Sequence, residues 1–97
     1  MSVLVLFEAQ VKAEDVSNMK SYLAEILPDT GAYDGCQGID VYFNTEDTGN
    51  MIMVERWNSR GQHEKYSGWR TETGVKDKMS AMLVGPRKIR YFERIDA

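Results

Sequence analysis

Residues Val3-Leu4-Val5-Leu6-Phe7 form an unbroken apolar run that continues through Glu8-Ala9-Gln10-Val11. A β-branched stretch of this kind predicts a strand. The period then changes. Val16, Met19, Leu23, Ile26 and Leu27 recur at helical spacing, with Asp15 placed to cap the helix and Pro28 to end it. Asp29 to Gly35 carries turn chemistry. From Cys36 to Thr45 the pattern alternates, with Ile39, Val41 and Phe43 on one face and Asp40, Tyr42 and Asn44 on the other. Glu46 to Asn50 supplies a hairpin turn, and Met51 to Trp57 makes a third strand. Ser59 caps a helix that runs through His63, Tyr66 and Trp69 toward Arg70, and the weak helix formers Thr71 to Gly74 loosen it. A shorter helix carries Val75, Met79, Met82 and Leu83 until Gly85-Pro86 stops it, and Lys88 to Ile95 closes the chain as an alternating strand.

The predicted order is β-α-β-β-α-β with the second helix broken. This is an α+β, ferredoxin-like arrangement with a four-stranded antiparallel sheet, read as one domain over residues 1–97. That topology puts the first and third strands in the centre, which are the two with continuous apolar runs. The helices of such a unit all lie on one face of the sheet. Central strands that are apolar on both sides therefore imply a second cover. A chain of 97 residues has nothing left to supply it, so a homodimer packed sheet to sheet is expected.

Composition narrows the chemistry. Twelve basic against 15 acidic residues leave a net charge of −3, which disfavours a nucleic-acid partner. One cysteine, Cys36, and one histidine, His63, cannot build a Cys/His zinc centre, and Cys36 reads as a small hydrophobe beside a turn. The apolar run Val3–Phe7 is far shorter than the ~20 residues that span a bilayer. No secretory leader pattern opens the chain, so a cytoplasmic protein with no membrane partner is expected.

Period-two geometry places Met51, Met53, Glu55 and Trp57 on one face of the third strand. Helical geometry places His63, Tyr66, Ser67 and Arg70 on one stripe. If both sets face one cavity, they make an aromatic-walled small-molecule pocket. Each residue also has a plainer role open to it. Trp57, Trp69 and the methionines can be core, Glu55 an exposed partner of Lys88, Arg90 or Arg94, His63 a surface or satisfied core residue, and Arg70 a solvated helix residue.

The segment Gly35-Cys36-Gln37-Gly38-Ile39-Asp40-Val41-Tyr42, then Val54-Glu55-Arg56-Trp57-Asn58-Ser59, resembles the antibiotic biosynthesis monooxygenase family, as does Leu83-Val84-Gly85-Pro86 leading into a strand. The resemblance implies a dimeric α+β barrel with a pocket between sheet and helices. It also implies oxygenation of phenols or quinols by dioxygen with neither metal nor flavin, so no cofactor is expected. Two departures bear on chemistry. The histidine that members commonly carry nine residues after the Glu-x-Trp tryptophan is Tyr66 here, and the only histidine lies one turn earlier at His63. The first strand lacks the asparagine of the haem-degrading branch, having only Gln10 near its end, which argues against haem degradation.

The expected partners are then a small aromatic substrate and dioxygen. Trp57, Met53 and Trp69 would wall the ring, and His63, with an ordinary pKa near ~6.5, would be the base. Tyr66 and Arg70 would donate hydrogen bonds to the anion, and Glu55, raised by burial, would be the fallback base. A dimeric module that binds an aromatic without chemistry, and a cofactor-free isomerase, are the alternatives.

Overall fold

The computed structural model describes residues 2–97. Strand β1 (Val3–Gln10) pairs antiparallel with β3 (Asn50–Trp57) on one side and β4 (Lys88–Glu93) on the other, and β2 (Cys36–Phe43) completes the sheet in the order β2-β3-β1-β4. The apolar central runs are therefore β1 and β3, and the alternating strands are the edges. Helices α1 (Val16–Gly31), α2 (Arg60–Glu72) and α3 (Val75–Ser80) connect the strands. None of the described helices is long and apolar enough to cross a membrane.

Register fixes what faces the helices. Val5 stands between Glu55 and Tyr91, and Phe7 between Met53 and Ile89, so two rows of side chains cross three strands toward the helical layer. The main core joins Phe7, Ala9, Val11, Met51 and Met53 to Met19, Tyr22, Leu23 and Ile26 of α1 and to Met79 and Leu83. A smaller cluster gathers Val3, Val5 and Trp57, with Tyr33, Cys36, Tyr66 and Tyr91 packed on it. The opposite face carries Leu4, Leu6, Ile52 and Val54, half-buried, with Tyr42 and Phe92 exposed. On β2 the ladder shifts between Cys36 and Gly38. Gln37 is the extra residue of this bulge, which lets both Cys36 and Ile39 face inward.

Several predicted boundaries move. Pro28 does not end the first helix, which runs on to Gly31. Proline removes one N–H, forfeiting the bond to the exposed Ala24 carbonyl. The last turn is then held from outside: Arg70 Nη2 donates to the Ile26 carbonyl at 2.6 Å and to Thr30 Oγ1 at 2.9 Å. Asp15 makes no side-chain cap bond to the backbone, since its Oδ1 accepts from Asn18 Nδ2 at 3.2 Å. Ser59 does cap α2, accepting the Gln62 N–H at 3.2 Å. Gly74, at φ 79, takes the left-handed conformation that separates α2 from α3. The short helix stops at Ser80, before Met82 and Leu83, because Leu83 is drawn into a bridge with Val11. Strand β4 ends at Glu93, short of Ile95.

Candidate active site

Alternation along β3 sends Met53, Glu55 and Trp57 toward α2, and the 3.6-residue period of α2 returns His63, Tyr66, Ser67 and Arg70 toward the sheet. Met53, Glu55, His63, Tyr66, Ser67 and Arg70 line one cavity of about 50 Å³. Its floor is buried and includes Phe7, Ile26, Met53, Glu55, His63 and Arg70, while Ser67, Lys76, Arg87 and Ile89 keep contact with solvent at the rim.

Trp57 and Trp69 are not among the lining residues. Trp57 is fully buried behind the wall, where its indole N–H donates to Glu55 Oε1 at 3.0 Å. Its ring also contacts Tyr66 and His63, with centroids 5.0 and 5.4 Å away. Trp69 stacks on Tyr33 at 5.3 Å, on the far side of Tyr66.

Glu55 is 4 % exposed, so it is not the surface partner of Lys88, Arg90 or Arg94. Burial pushes its carboxyl from the usual carboxylate range up to about 7, with the Trp57 N–H pulling the other way. His63 faces it, Nε2 lying 3.9 Å from Glu55 Oε1, while Nδ1 lies 2.7 Å from the Tyr91 hydroxyl. Burial holds His63 down to about 4, and the positive charge of Lys76 adds to this against the opposing Glu64. Burial thereby moves the two candidate bases in opposite directions. His63 is a neutral, weakly basic imidazole at pH 7, and Glu55 is the group that exchanges a proton near neutrality. An isolated imidazole titrates near neutrality only while water solvates its cation, and this one has lost that water.

Arg70 is 5 % exposed and is not a solvated helix residue. Beyond its two bonds to α1, its Nε donates to the Tyr66 hydroxyl at 2.9 Å. The Tyr66 and Thr30 hydroxyls lie 2.6 Å apart, so one network ties the end of α1 to α2. Burial still leaves the Tyr66 pKa raised despite these bonds, and the hydroxyl stays protonated and able to donate. Thr30, Tyr33, Tyr91 and the rim pair Lys76 and Arg87 escaped the reading of the sequence. Among the described residues no three metal-ligating side chains converge.

A comparison with family models matches residues 2–71 to the family described as antibiotic biosynthesis monooxygenase. A comparison with curated proteins finds no match. Among solved structures, Rv0793 from Mycobacterium tuberculosis is 21% identical with a TM-score of 0.86, covering 100% of this chain and 98% of its own. A conserved protein from Methanosarcina mazei Go1 is 20% identical with a TM-score of 0.89, covering 98% of this chain and 94% of its own. A third, described as an antibiotic biosynthesis monooxygenase, is 15% identical with a TM-score of 0.87, covering 97% and 99%. At these identities the structural likeness speaks for the fold. The family model spans well over half of the sequence, from β1 through most of α2, and by that match the chain belongs to the antibiotic biosynthesis monooxygenase family.

Proposed function

We propose that this protein is a cofactor-independent monooxygenase acting on a small phenolic or quinol-type aromatic, with Glu55 as its general base. The observation that carries this reading is the buried Glu55 carboxyl, poised at about 7, oriented by the Trp57 N–H and lining an otherwise largely apolar cavity. Dioxygen reacts slowly with closed-shell organics, but a ring anion surrenders one electron readily. The protein's task is then to bind the ring, take a proton and hold the anion. Glu55 accepts the ring hydroxyl proton, and the Tyr66 hydroxyl, polarised by Arg70 Nε, donates to the resulting oxyanion. Met53 and Phe7 supply apolar contact.

The stoichiometry closes without an added reductant. A phenol losing two hydrogens and gaining one oxygen yields a quinone. The second oxygen atom leaves as water, and all four electrons come from the substrate.

At about 50 Å³ the cavity is smaller than the ~150 Å³ void that holds benzene. Admission of a ring therefore requires the rim to move, and the half-exposed Lys76 and Arg87 side chains are the parts with room to swing outward. We further propose that the protein works as a homodimer, with Leu4, Leu6, Ile52, Val54, Tyr42 and Phe92 forming the shared face.

The test is oxygen uptake by metal-free protein supplied with 1-naphthol. The expected result is one dioxygen consumed per quinone formed, lost in Glu55→Gln. Naphthoquinone formation equal in the parent and Glu55→Gln rejects Glu55 as the base, and binding with no oxygen consumption rejects the activity in favour of a binding module.

A further inference from the structure

We propose that the cavity selects rings bearing an acidic substituent, whose anion is held between Lys76 and Arg87 at the rim. The inference rests on reading this cavity as the substrate pocket and adds the substrate's charge to it.

Three basic side chains, Arg70, Lys76 and Arg87, line the cavity against one carboxyl, Glu55, in a chain whose net charge is −3. The sign of the lining is opposite to that of the molecule, and a low-dielectric cleft of one sign focuses its field on ligands of the other. Arg70 is committed to Ile26, Thr30 and Tyr66. The rim pair is less committed. Lys76 Nζ donates to Ser67 Oγ, and Arg87 Nη2 donates to the Lys76 carbonyl at 2.9 Å and to Ser80 Oγ. Both Arg87 hydrogen bonds run through Nη2, and the guanidinium lies over the Phe7 ring, 5.8 Å from its centroid, so the rest of the fork keeps its N–H groups for a ligand.

Among the described residues no carboxylate lies within ion-pair distance of either cation, although Asp77 is close enough to act on Arg87. Burial and the neighbouring Arg87 charge together hold Lys76 below its ordinary pKa. The bonds to Ser67, Ser80 and the Lys76 carbonyl explain why donors stand here. They do not explain two adjacent positive charges facing an apolar cavity, an arrangement that repels itself until an anion bridges it. The charge of Lys76 also reaches His63 on the floor, so rim and floor belong to one electrostatic site.

The experiment compares 4-hydroxybenzoate with its uncharged amide, 4-hydroxybenzamide, by titration against the intact protein. The parent is expected to bind the acid about tenfold more tightly at low salt, with the ratio shrinking as sodium chloride rises to about 200 mM. Lys76→Met and Arg87→Met, made separately, are each expected to cut that acid-to-amide ratio about threefold or more. Because Arg87 braces α3, Lys76→Met decides the matter if Arg87→Met does not fold. Equal affinity for acid and amide, binding of neither, or an unchanged ratio in Lys76→Met overturns the proposal. Selective binding of the acid with no oxygen uptake from any phenol rejects the monooxygenase and keeps the anion site. Oxygen uptake from 1-naphthol with no preference for the acid does the reverse.

Discussion

Glu55 Oε1 and His63 Nε2 face each other at 3.9 Å in the floor of the cavity, and burial drives the two groups in opposite directions. Each is pushed toward its neutral form, the carboxyl by holding its proton to about 7 and the imidazole by losing its proton above about 4. Between those values the pair is uncharged without exchanging a proton, and the group that ionises as the medium approaches neutrality is the acid.

Activity is therefore expected to rise through pH 7, following ionisation of Glu55. A rising limb near pH 4 would instead mark His63 as the base. Glu55→Gln is expected to lower kcat by ~10²- to 10⁴-fold with the fold intact. A pH–rate profile of the parent, together with single-turnover rates for the variant, measures both.

The same two groups predict how stability varies with acidity. Glu55 has a folded-state pKa above its ordinary value of 4.5, so its contribution is fully present below 4.5 and is lost as the pH rises through about 7. His63 has a folded-state pKa below its ordinary 6.5, so its contribution is fully present above 6.5 and is lost as the pH falls toward about 4. The two slopes oppose each other over the shared range. Subtracting the Glu55→Gln unfolding free energy from that of the parent isolates the acid. That difference is expected to fall by ~3 kcal/mol from pH 4 to pH 8 in urea titrations.

Trp57→Phe keeps a ring in the second cluster but deletes the indole donor to Glu55. Because that N–H stabilises the carboxylate, its loss should raise the Glu55 pKa further and move the rising limb of activity to higher pH. The smaller ring and the unmet carboxylate oxygen should together cost ~1–3 kcal/mol of stability. The shift of the pH–rate limb distinguishes this positioning role from simple packing.

Arg70 holds the last turn of α1 against α2, so Arg70→Met should destabilise the fold by ~2–4 kcal/mol, as expected when a buried charged donor is withdrawn from several acceptors. Thr30→Val removes one hydroxyl from the same network and should cost less, ~1–2 kcal/mol. Urea denaturation of the two single variants and the double variant should show coupling, because the residues are bonded to each other.

The proposed dimer predicts a sedimentation mass near twice the 11.1 kDa chain. Leu6→Arg places a charge in the middle of the shared face, beside Val54 and Arg90, and should give monomers whose inward-facing core is unchanged. Analytical ultracentrifugation at micromolar concentration reads the outcome.

The strand order and the inward row Met53-Glu55-Trp57 were legible because both follow from a period that a local stretch of sequence carries. So was the α2 stripe of His63, Tyr66 and Arg70. Other features depend on partners remote along the chain. A helix reading that stops at Pro28 treats the proline as decisive, whereas the bonds that continue the turn come from Arg70, some forty residues later. The opposite pKa shifts of Glu55 and His63 were illegible for the same reason, since they are set by how much water each group loses on folding. Lys76 and Arg87 lie outside both stripes and meet at the rim only because β4 returns beside β1.

The bulge on β2 carries a consequence for how this edge can vary. Cys36 lies opposite Trp57 and Gly38 opposite Arg56, so Gln37 is the residue of this edge that has no partner on β3. Deleting Gln37 while Cys36 keeps its partner would join Cys36 directly to Gly38 and close the ladder, with Gly38 still opposite Arg56 and Ile39, Val41 and Phe43 still turned inward. The loss of one residue at this point is therefore compatible with the interior, because it removes the one side chain with no opposite number, whereas the same loss further along β2 would reverse the facing of everything beyond it.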